Sequence, residues 1–537
     1  MASSEEEIVE AWAEHQERLG TPKDDPLWDA EFAKRVEDRL RELSEPDPDD
    51  EVKDATDPLS ADFSGEEIRD ACDALDYHKA GTEDGTRNPM YRCAGEEMMK
   101  QLGVLFNFLK STESIPAGWS WATIINLFKE GDQCDPNNYR GIALISCLGK
   151  LYLSLWARRI TKHLESKITE NQGGFRPRRN TVDQTLILKE TLLRRRKEGL
   201  PTYVYFVDFR KAFDTVWRDG LWVRLWEMGV KGKSWRIIKA LYSNVSCSVR
   251  VGDRLTRRVR LRQGVRQGCP LSPVLFNCFI DELSVRLRKA GYGVSLGVDR
   301  DLHSLLYADD VAVLADSPEA LQRLIQVVDD YCRQWRMDIN LTKSKAMVVG
   351  KRECACVCGS VSGSCSCSCS CESHLQGWTC RDKEVEVVEE YKYLGLWFNS
   401  RLQWGDHINK TVKKASGRST SLRRLLTNGR VIPRAKLLVW FSYVRPLLDY
   451  GCEVWKPDSV QARRLESIQT QAGSLIFKLN VKTHLRAVRA LMKCTSLDTR
   501  RSGFRLRYLA KLFSYDESRL ARYAAFLPAV KNKIKGR

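Results

Sequence analysis

The sequence predicts an α+β fold in which a small antiparallel sheet carries acidic residues at its strand ends and helices supply most of the rest. Three observations predict it. Tyr203 to Val207 is a short β-branched and aromatic run, a strand by composition, and it ends at Asp208. Two further apolar runs, Leu302 to Leu306 and Val311 to Leu314, flank Tyr307-Ala308-Asp309-Asp310. That is the pattern of a hairpin whose two-residue turn is acidic. Elsewhere, apolar residues such as Trp217, Leu221, Leu225 and Met228 recur at helical spacing.

The other elements follow in chain order. Residues 1–60 are acidic, contain proline and are weakly periodic, so they read as a largely disordered linker in which Trp12, Trp28, Phe32 and Val36 allow short helices. Ser64-Gly65-Glu66-Glu67 is a capping-box pattern ahead of a helix through Ile68, Ala71 and Leu75. Trp121 to Phe128 is a strand that ends at Lys129, and Leu151 to Ile168 is a helix. Gln172-Gly173-Gly174-Phe175-Arg176 is a glycine-permissive turn that carries a cation. Gln267-Gly268 opens a helix running from Leu271 to Leu287. Residues 400–537 are helical by period and basic, with Leu437, Trp440, Val444 and Leu447 forming one core-facing stripe.

Charge is unevenly placed. The chain of 537 residues has a net charge of +17, but residues 1–70 hold 24 Asp/Glu against 8 Lys/Arg, a net of −16, which leaves +33 on the remainder. A body that basic suggests a polyanionic partner. Basic runs such as Arg194-Arg195-Arg196-Lys197 and Arg176-Pro177-Arg178-Arg179 suit phosphate contacts without sequence readout. No apolar stretch reaches the length of a membrane span, and the acidic start, Glu5-Glu6-Glu7, is unlike a secretory signal. An intracellular protein is expected. Of 18 Cys, 8 fall between Cys354 and Cys380, mostly as alternating Cys-Ser. This spacing is not that of a structural zinc finger, so 354–376 reads as a low-complexity insert. The scattered remainder, such as Cys147 and Cys278, read as small core residues.

The acidic strand ends carry the chemistry. An Asp-Asp turn alone is ordinary, because Asp favours turns. A third carboxylate upstream changes its meaning. If the strand ending at Asp208 pairs with the hairpin, Asp208, Asp309 and Asp310 converge. Three carboxylates can hold two Mg²⁺ ions, with substrate phosphates and water completing a hard oxygen shell and Mn²⁺ able to substitute. Such pairs of ions serve nucleotidyl transfer. Asp214, further along the same loop, reads as a helix N-terminal charge or a structural partner.

These segments resemble the reverse transcriptases of non-LTR (LINE-type) retrotransposons. Phe206-Val207-Asp208-Phe209-Arg210-Lys211-Ala212-Phe213-Asp214 looks like motif A, and Gly264 to Pro273 (Gly-Val-Arg-Gln-Gly-Cys-Pro-Leu-Ser-Pro) like motif B. Tyr307 to Asp310 looks like motif C, Leu341-Thr342-Lys343-Ser344-Lys345 like motif D, and Tyr391-Lys392-Tyr393-Leu394-Gly395 like the motif E grip. The resemblance covers roughly residues 60 to 500, and Tyr450 to Trp455 resembles the family's thumb. It implies a right-hand polymerase: fingers at 61–199, palm at 200–398 (reverse transcriptase core roughly 109–398), and a helical basic thumb and C-terminal region at 399–537.

The implied function is RNA-directed DNA polymerisation, with an RNA template, a DNA primer or target, and dNTPs as partners and substrates. The implied setting is a nuclear and cytoplasmic ribonucleoprotein without a membrane. The resemblance assigns Asp208, Asp309 and Asp310 to metal binding and catalysis, and Lys343 to proton donation toward pyrophosphate. It assigns Lys129 and Arg140 to the triphosphate, Gln267 and Gly268 to the incoming nucleotide, and Phe213 to exclusion of the ribose 2′-OH. Arg176, Tyr307, Tyr393 and Gly395 are expected near the nucleic acid. The Lys79-Ala80-Gly81-Thr82-Glu83-Asp84-Gly85 loop departs from the family's pattern, since Gly81 comes one residue early. Two rivals stand beside this reading: an intron-encoded reverse transcriptase, for which no maturase domain announces itself, and a catalytically decayed RNA-binding relic, against which all three carboxylates survive. No endonuclease pattern and no C-terminal Cys/His knuckle is found, so a fragment, a truncated copy or one partner of several is expected.

Overall fold

A computed structural model describes residues 4–45, 54, 57–79, 81, 84–297, 300–350, 377–480 and 483–526. The Cys-Ser tract at 354–376 lies outside them. In chain order the elements that matter for function are α1 (Glu5–Gly20), α2 (Ala30–Ser44), β1 (Trp121–Phe128), β2 (Tyr139–Leu144), α3 (Thr181–Lys197), β3 (Thr202–Val207), α4 (Arg218–Glu227), β4 (Ser246–Val251), β5 (Arg254–Leu255), β6 (Val259–Arg260), α5 (Ser272–Ala290), β7 (Ser304–Tyr307), β8 (Asp310–Ala315), β9 (Lys345–Val349), β10 (Glu390–Tyr393), β11 (Leu396–Asn399) and α6 (Leu497–Phe513).

The chain forms two compact units. The first comprises Met1–Arg178, Asp208–Ala290 and Gln326–Asn340; the second comprises Arg179–Val207, Gly291–Ile325 and Leu341–Arg537. This division cuts across the three linear segments expected from the sequence, because contacts and not chain order decide compactness. The chain passes from the second unit to the first at the Val207–Asp208 bond.

The first unit holds a five-stranded sheet in the order β2-β1-β4-β5, with β6 also on β4. β1 and β2 form an antiparallel hairpin in which Leu127 lies opposite Arg140. The capping box at Ser64 is present, with Glu67 closing it reciprocally. The expected helix at Leu151 begins earlier, at Cys147, because the Ser146 hydroxyl caps it by accepting from the Gly149 N–H.

The acidic N-terminal stretch departs from expectation. Its described part forms two helices, α1 and α2, rather than remaining disordered. A Ser4–Glu7 capping box starts α1 and the Asp29 carboxylate caps α2. Packing supplies what periodicity did not show: Ala13, His15, Ala33 and Val36 are buried, and Arg257 binds Glu10 and Glu17.

The second unit holds an antiparallel four-stranded sheet in the order β9-β3-β8-β7. Every β3 residue is buried, which is why the strand reads as a continuous apolar run and not as an alternating one. The β10–β11 hairpin belongs to the same unit, and Tyr391 stacks on Phe206 with ring centroids 4.1 Å apart and planes 7° from parallel. Among the described residues no helix is long and apolar enough to cross a membrane.

Candidate active site

The end of the four-stranded sheet gathers three of the sequence-predicted segments. In register, Val207 lies opposite Val311 and Phe206 opposite Lys345. The C-terminal end of β3 therefore shares one sheet end with the start of β8 and the start of β9. The hairpin turn differs from the expected one. Tyr307 pairs with Asp310, so the two turn residues are Ala308 and Asp309, and Asp310 is already in the strand. Ala308 has φ +57°, the left-handed first position that a tight hairpin of this kind requires. Without glycine that conformation costs on the order of 1–2 kcal/mol, which the paired strands must hold. Asp309 is half-buried and Asp310 exposed. Lys343 is exposed in the turn before β9, at the same sheet end.

Asp208 follows Val207 directly and is anchored within the first unit. Asn340 donates its side-chain amide to Asp208 Oδ2 at 2.9 Å and its backbone N–H to the Asp208 carbonyl at 2.8 Å. A bridge between Phe209 and Ile339 continues that pairing. The sequence carried no sign of Asn340; only tertiary pairing brings it to the carboxylate.

The loop after Asp208 is built for close approach. Phe213 lies half-buried against Phe276, centroids 4.4 Å apart and planes 12° from parallel, with Phe175 edge-on at 6.0 Å. Backbone bonds run from the Val265 N–H to the Phe213 carbonyl and from the Gly264 N–H to the Val216 carbonyl, each 2.8 Å. A Cβ on Gly264 would stand 2.4 Å from the Asp214 carbonyl oxygen, so only glycine fits. Gly268 has φ +108°, and its Cβ would come within 2.8 Å of the Ala143 carbonyl. There the Ala143 N–H donates to the Gln267 carbonyl at 2.7 Å, tying the loop to β2.

Arg218 braces this loop. Its buried guanidinium donates to the carbonyls of Tyr242, Leu261, Gln263 and Gly264 at 2.8–3.0 Å. Burial pushes its pKa down to about 10. Sequence reading passed over it; an arginine beside an apolar helix face was the available signal.

A cavity of about 50 Å³ adjoins the loop, lined among others by His15, Tyr139, Lys211, Asp214 and Gln267. Burial pushes the Asp214 carboxyl up to about 6, opposed by Lys211, by Lys129, by the Gln267 bond and by Arg140. Asp214 is thus no helix N-terminal charge, since α4 starts at Arg218. It is a partner of Gln267. Lys129 and Arg140 are exposed on the β1–β2 hairpin.

Other expected contacts are scaffold. Arg176 is buried, donating to Glu165 and to the carbonyls of Thr169 and Gln172. Tyr393 is buried in the core. The basic run ending α3 is likewise engaged: Arg195 donates to Thr202 and the Pro201 carbonyl, and Arg194 to the carbonyls of Leu296 and Ser295. Long cationic side chains satisfy carbonyls left bare at chain reversals, a use invisible in composition. Gly395 serves packing: φ is +83°, and a Cβ would meet the Tyr450 ring at 2.7 Å.

Among the described residues no group of three or more His, Cys, Asp or Glu is gathered as a metal cage. The donors at the sheet end are carboxylate oxygens. They fit a hard divalent cation that keeps water and takes substrate phosphates, not one enclosed by protein alone.

With this geometry in view, comparison with known proteins defines the class. Residues 128–398 match the reverse transcriptase (RNA-dependent DNA polymerase) family. The chain belongs to that family, and its described residues form an α+β fold. Its relatives are the polymerases of non-LTR elements. It is 25% identical over 392 residues to the probable RNA-directed DNA polymerase from transposon BS of Drosophila melanogaster, covering 71% of this chain and 41% of that protein. It is 31% identical over 245 residues to the Pol polyprotein from the type-1 retrotransposable element R2 of Popillia japonica, covering 45% and 34%. It is 24% identical over 391 residues to the polymerase from mobile element jockey of D. melanogaster, covering 71% and 40%. The chain thus spans about a third to two fifths of the length of these relatives.

Proposed function

We propose that this chain extends a DNA primer on an RNA template as the polymerase of a non-LTR element. The observation that carries the reading is the register of the second unit's sheet. Val207 opposite Val311 and Phe206 opposite Lys345 align the strand that leads into Asp208 with Asp309, Asp310 and Lys343. Motifs A, C and D are scattered over more than a hundred residues of chain, yet their strands end together.

In the proposed reaction the primer 3′-oxygen forms a bond to the α-phosphorus of a dNTP, the bond from that phosphorus to the bridging oxygen breaks, and pyrophosphate leaves. Two divalent cations, held by Asp208, Asp309 and Asp310 together with substrate phosphates, would lower the pKa of the primer hydroxyl and stabilise the leaving group. Asn340 orients the Asp208 carboxylate. Lys129 and Arg140 neutralise charge on the triphosphate. The primer hydroxyl's proton passes to water, and the Lys343 ammonium donates a proton to the departing pyrophosphate. Gln267 and Gly268 face the nucleotide, Phe213 lies under its sugar, and Tyr307 meets the primer end.

Primer extension on poly(rA)/oligo(dT) with Mg²⁺ tests this. Asp309→Asn keeps the turn's shape but removes a charge, so extension should fall by orders of magnitude while template binding, supplied by phosphate contacts, stays within a few fold. Unchanged extension would remove Asp309 from the mechanism.

A further inference from the structure

The structure leaves one carboxylate of the motif A loop without a task in the reaction above. Asp214 accepts from Gln267 Nε2 at 3.4 Å on one oxygen and 3.3 Å on the other. Both residues line the cavity beside the loop, with Lys211. Their backbones are tied nearby: Val265 donates to the Phe213 carbonyl, and Ala143 to that of Gln267. The two ends of the Asp214–Gln267 contact are therefore fixed to each other and to β2.

A side-chain amide has two faces of opposite character, a donating nitrogen and an accepting oxygen. An ionised carboxylate accepts only. With Asp214 at one side, the amide nitrogen of Gln267 must turn toward it, and Oε1 is presented to the other side. We infer that Asp214 is a positioning residue for nucleotide selection: it sets the orientation of the Gln267 amide, and through it the hydrogen-bonding face offered to the incoming dNTP. The inference rests on the reading of Gln267 as nucleotide-facing. At pH 7 the carboxyl, with its pKa raised to about 6 by burial, is mainly ionised and so acts as an acceptor. Lys211, Lys129 and Arg140 are the cations that act on it.

The alternative is that Asp214 only neutralises those cations, with the amide contact incidental. A double-mutant cycle separates the two. dTTP incorporation on poly(rA)/oligo(dT) with Mg²⁺ would be measured for the full chain, D214N, Q267A and the double variant, alongside melting temperatures. An asparagine can donate or accept, so D214N lets the amide turn either way. The expected result is a KM for dTTP raised about tenfold in D214N, the scale of one hydrogen bond to a charged group. The kcat should change less and melting should not fall, because a neutral group replaces a partly desolvated charge. Q267A should raise KM as well, and the double variant should be no worse than Q267A.

If Q267A leaves KM unmoved, the nucleotide-facing reading of Gln267 fails, and the inference with it. If Q267A raises KM but D214N adds its whole factor on top, the reading of Gln267 stands and the role given to Asp214 is overturned. An unchanged KM in D214N overturns that role too. Should D214N show no cooperative melt, D214S takes its place in the same cycle with the same outcomes.

Discussion

Phe213 is packed on one side and open on the other. Its ring stacks on Phe276 and meets Phe175 edge-on, yet stays half-exposed. The buried face contributes packing; in the proposed reaction the open face would meet the ribose 2′-OH. Phe213→Val should therefore change both stability and the choice of sugar. Stability should drop by about 2 kcal/mol from lost ring contact. Incorporation of rCTP relative to dCTP should rise, since a smaller side chain no longer excludes the hydroxyl. Melting curves and the ratio of the two kcat/KM values check this; a fixed ratio with lowered stability would leave Phe213 a packing residue only. Lys129 was legible as a cation at a strand end, and both it and Arg140, assigned to the triphosphate by resemblance, are exposed. Arg176 and Tyr393 were not legible as buried, because an arginine in a glycine-rich turn looks the same whether its donors meet phosphate or the carbonyls of Thr169 and Gln172.

At the scale of elements, α1 and α6 show how terminal helices are held. His15 of α1 is buried, and burial together with Lys211 and Arg18 lowers its pKa to about 4, against a weaker pull from Asp135. The unfolded chain, with His near its ordinary 6.5, takes up the proton first. His15 therefore contributes stability that is present above pH 6.5 and lost as pH falls from 6.5 to 4, by roughly 3 kcal/mol at most. Asp214, with its pKa raised to about 6, has the opposite sign over much of that range. It is common to both proteins in a comparison with His15→Gln and cancels. The difference in melting temperature between the two should thus narrow or reverse on acidification from pH 7 to pH 4.5; a difference constant with pH would show that His15 does not titrate this way.

Helix α6 and the segment after it are clamped by a buried carboxylate. Asp183, at the start of α3, accepts from Tyr508 at 2.7 Å and from Tyr515 at 3.2 Å, with Arg519 at 3.5 Å. Asp183→Ala strands these donors, and urea denaturation should show a loss of about 3 kcal/mol or more. A loss below 1 kcal/mol would mean that water replaces the carboxylate there.

For the whole molecule, charge and topology matter most. The net −16 of residues 1–70 is partly neutralised at the surface, where Glu10 and Glu17 of α1 pair with Arg257. The remainder carries +33 and the whole chain a net +17, a balance that attracts a polyanion. Binding to an RNA–DNA duplex should weaken linearly in log[salt], and a footprint of six or more phosphates should cost about 10³ in affinity between 50 and 200 mM salt. Asp309→Asn should leave that slope unchanged. A shallow slope would argue against a phosphate-dominated interface.

The sequence by itself determined the family, the α+β class, the strands at Tyr203 and Val311, and the carboxylates at their ends. Each of these rests on signals in the chain itself: a β-branched run, an acidic turn, and motifs in the family's order and spacing. Only tertiary structure decided the rest. It moved the turn to Ala308 and Asp309, because strand register and not residue preference sets which pair closes a hairpin. It ordered α1 and α2 by burying Ala13 and Val36. It brought Asn340 to Asp208 and Gln267 to Asp214 across 132 and 53 residues of chain. Hydrogen bonds between residues so far apart leave no mark in local composition, because the energy that selects them exists only once the chain has closed.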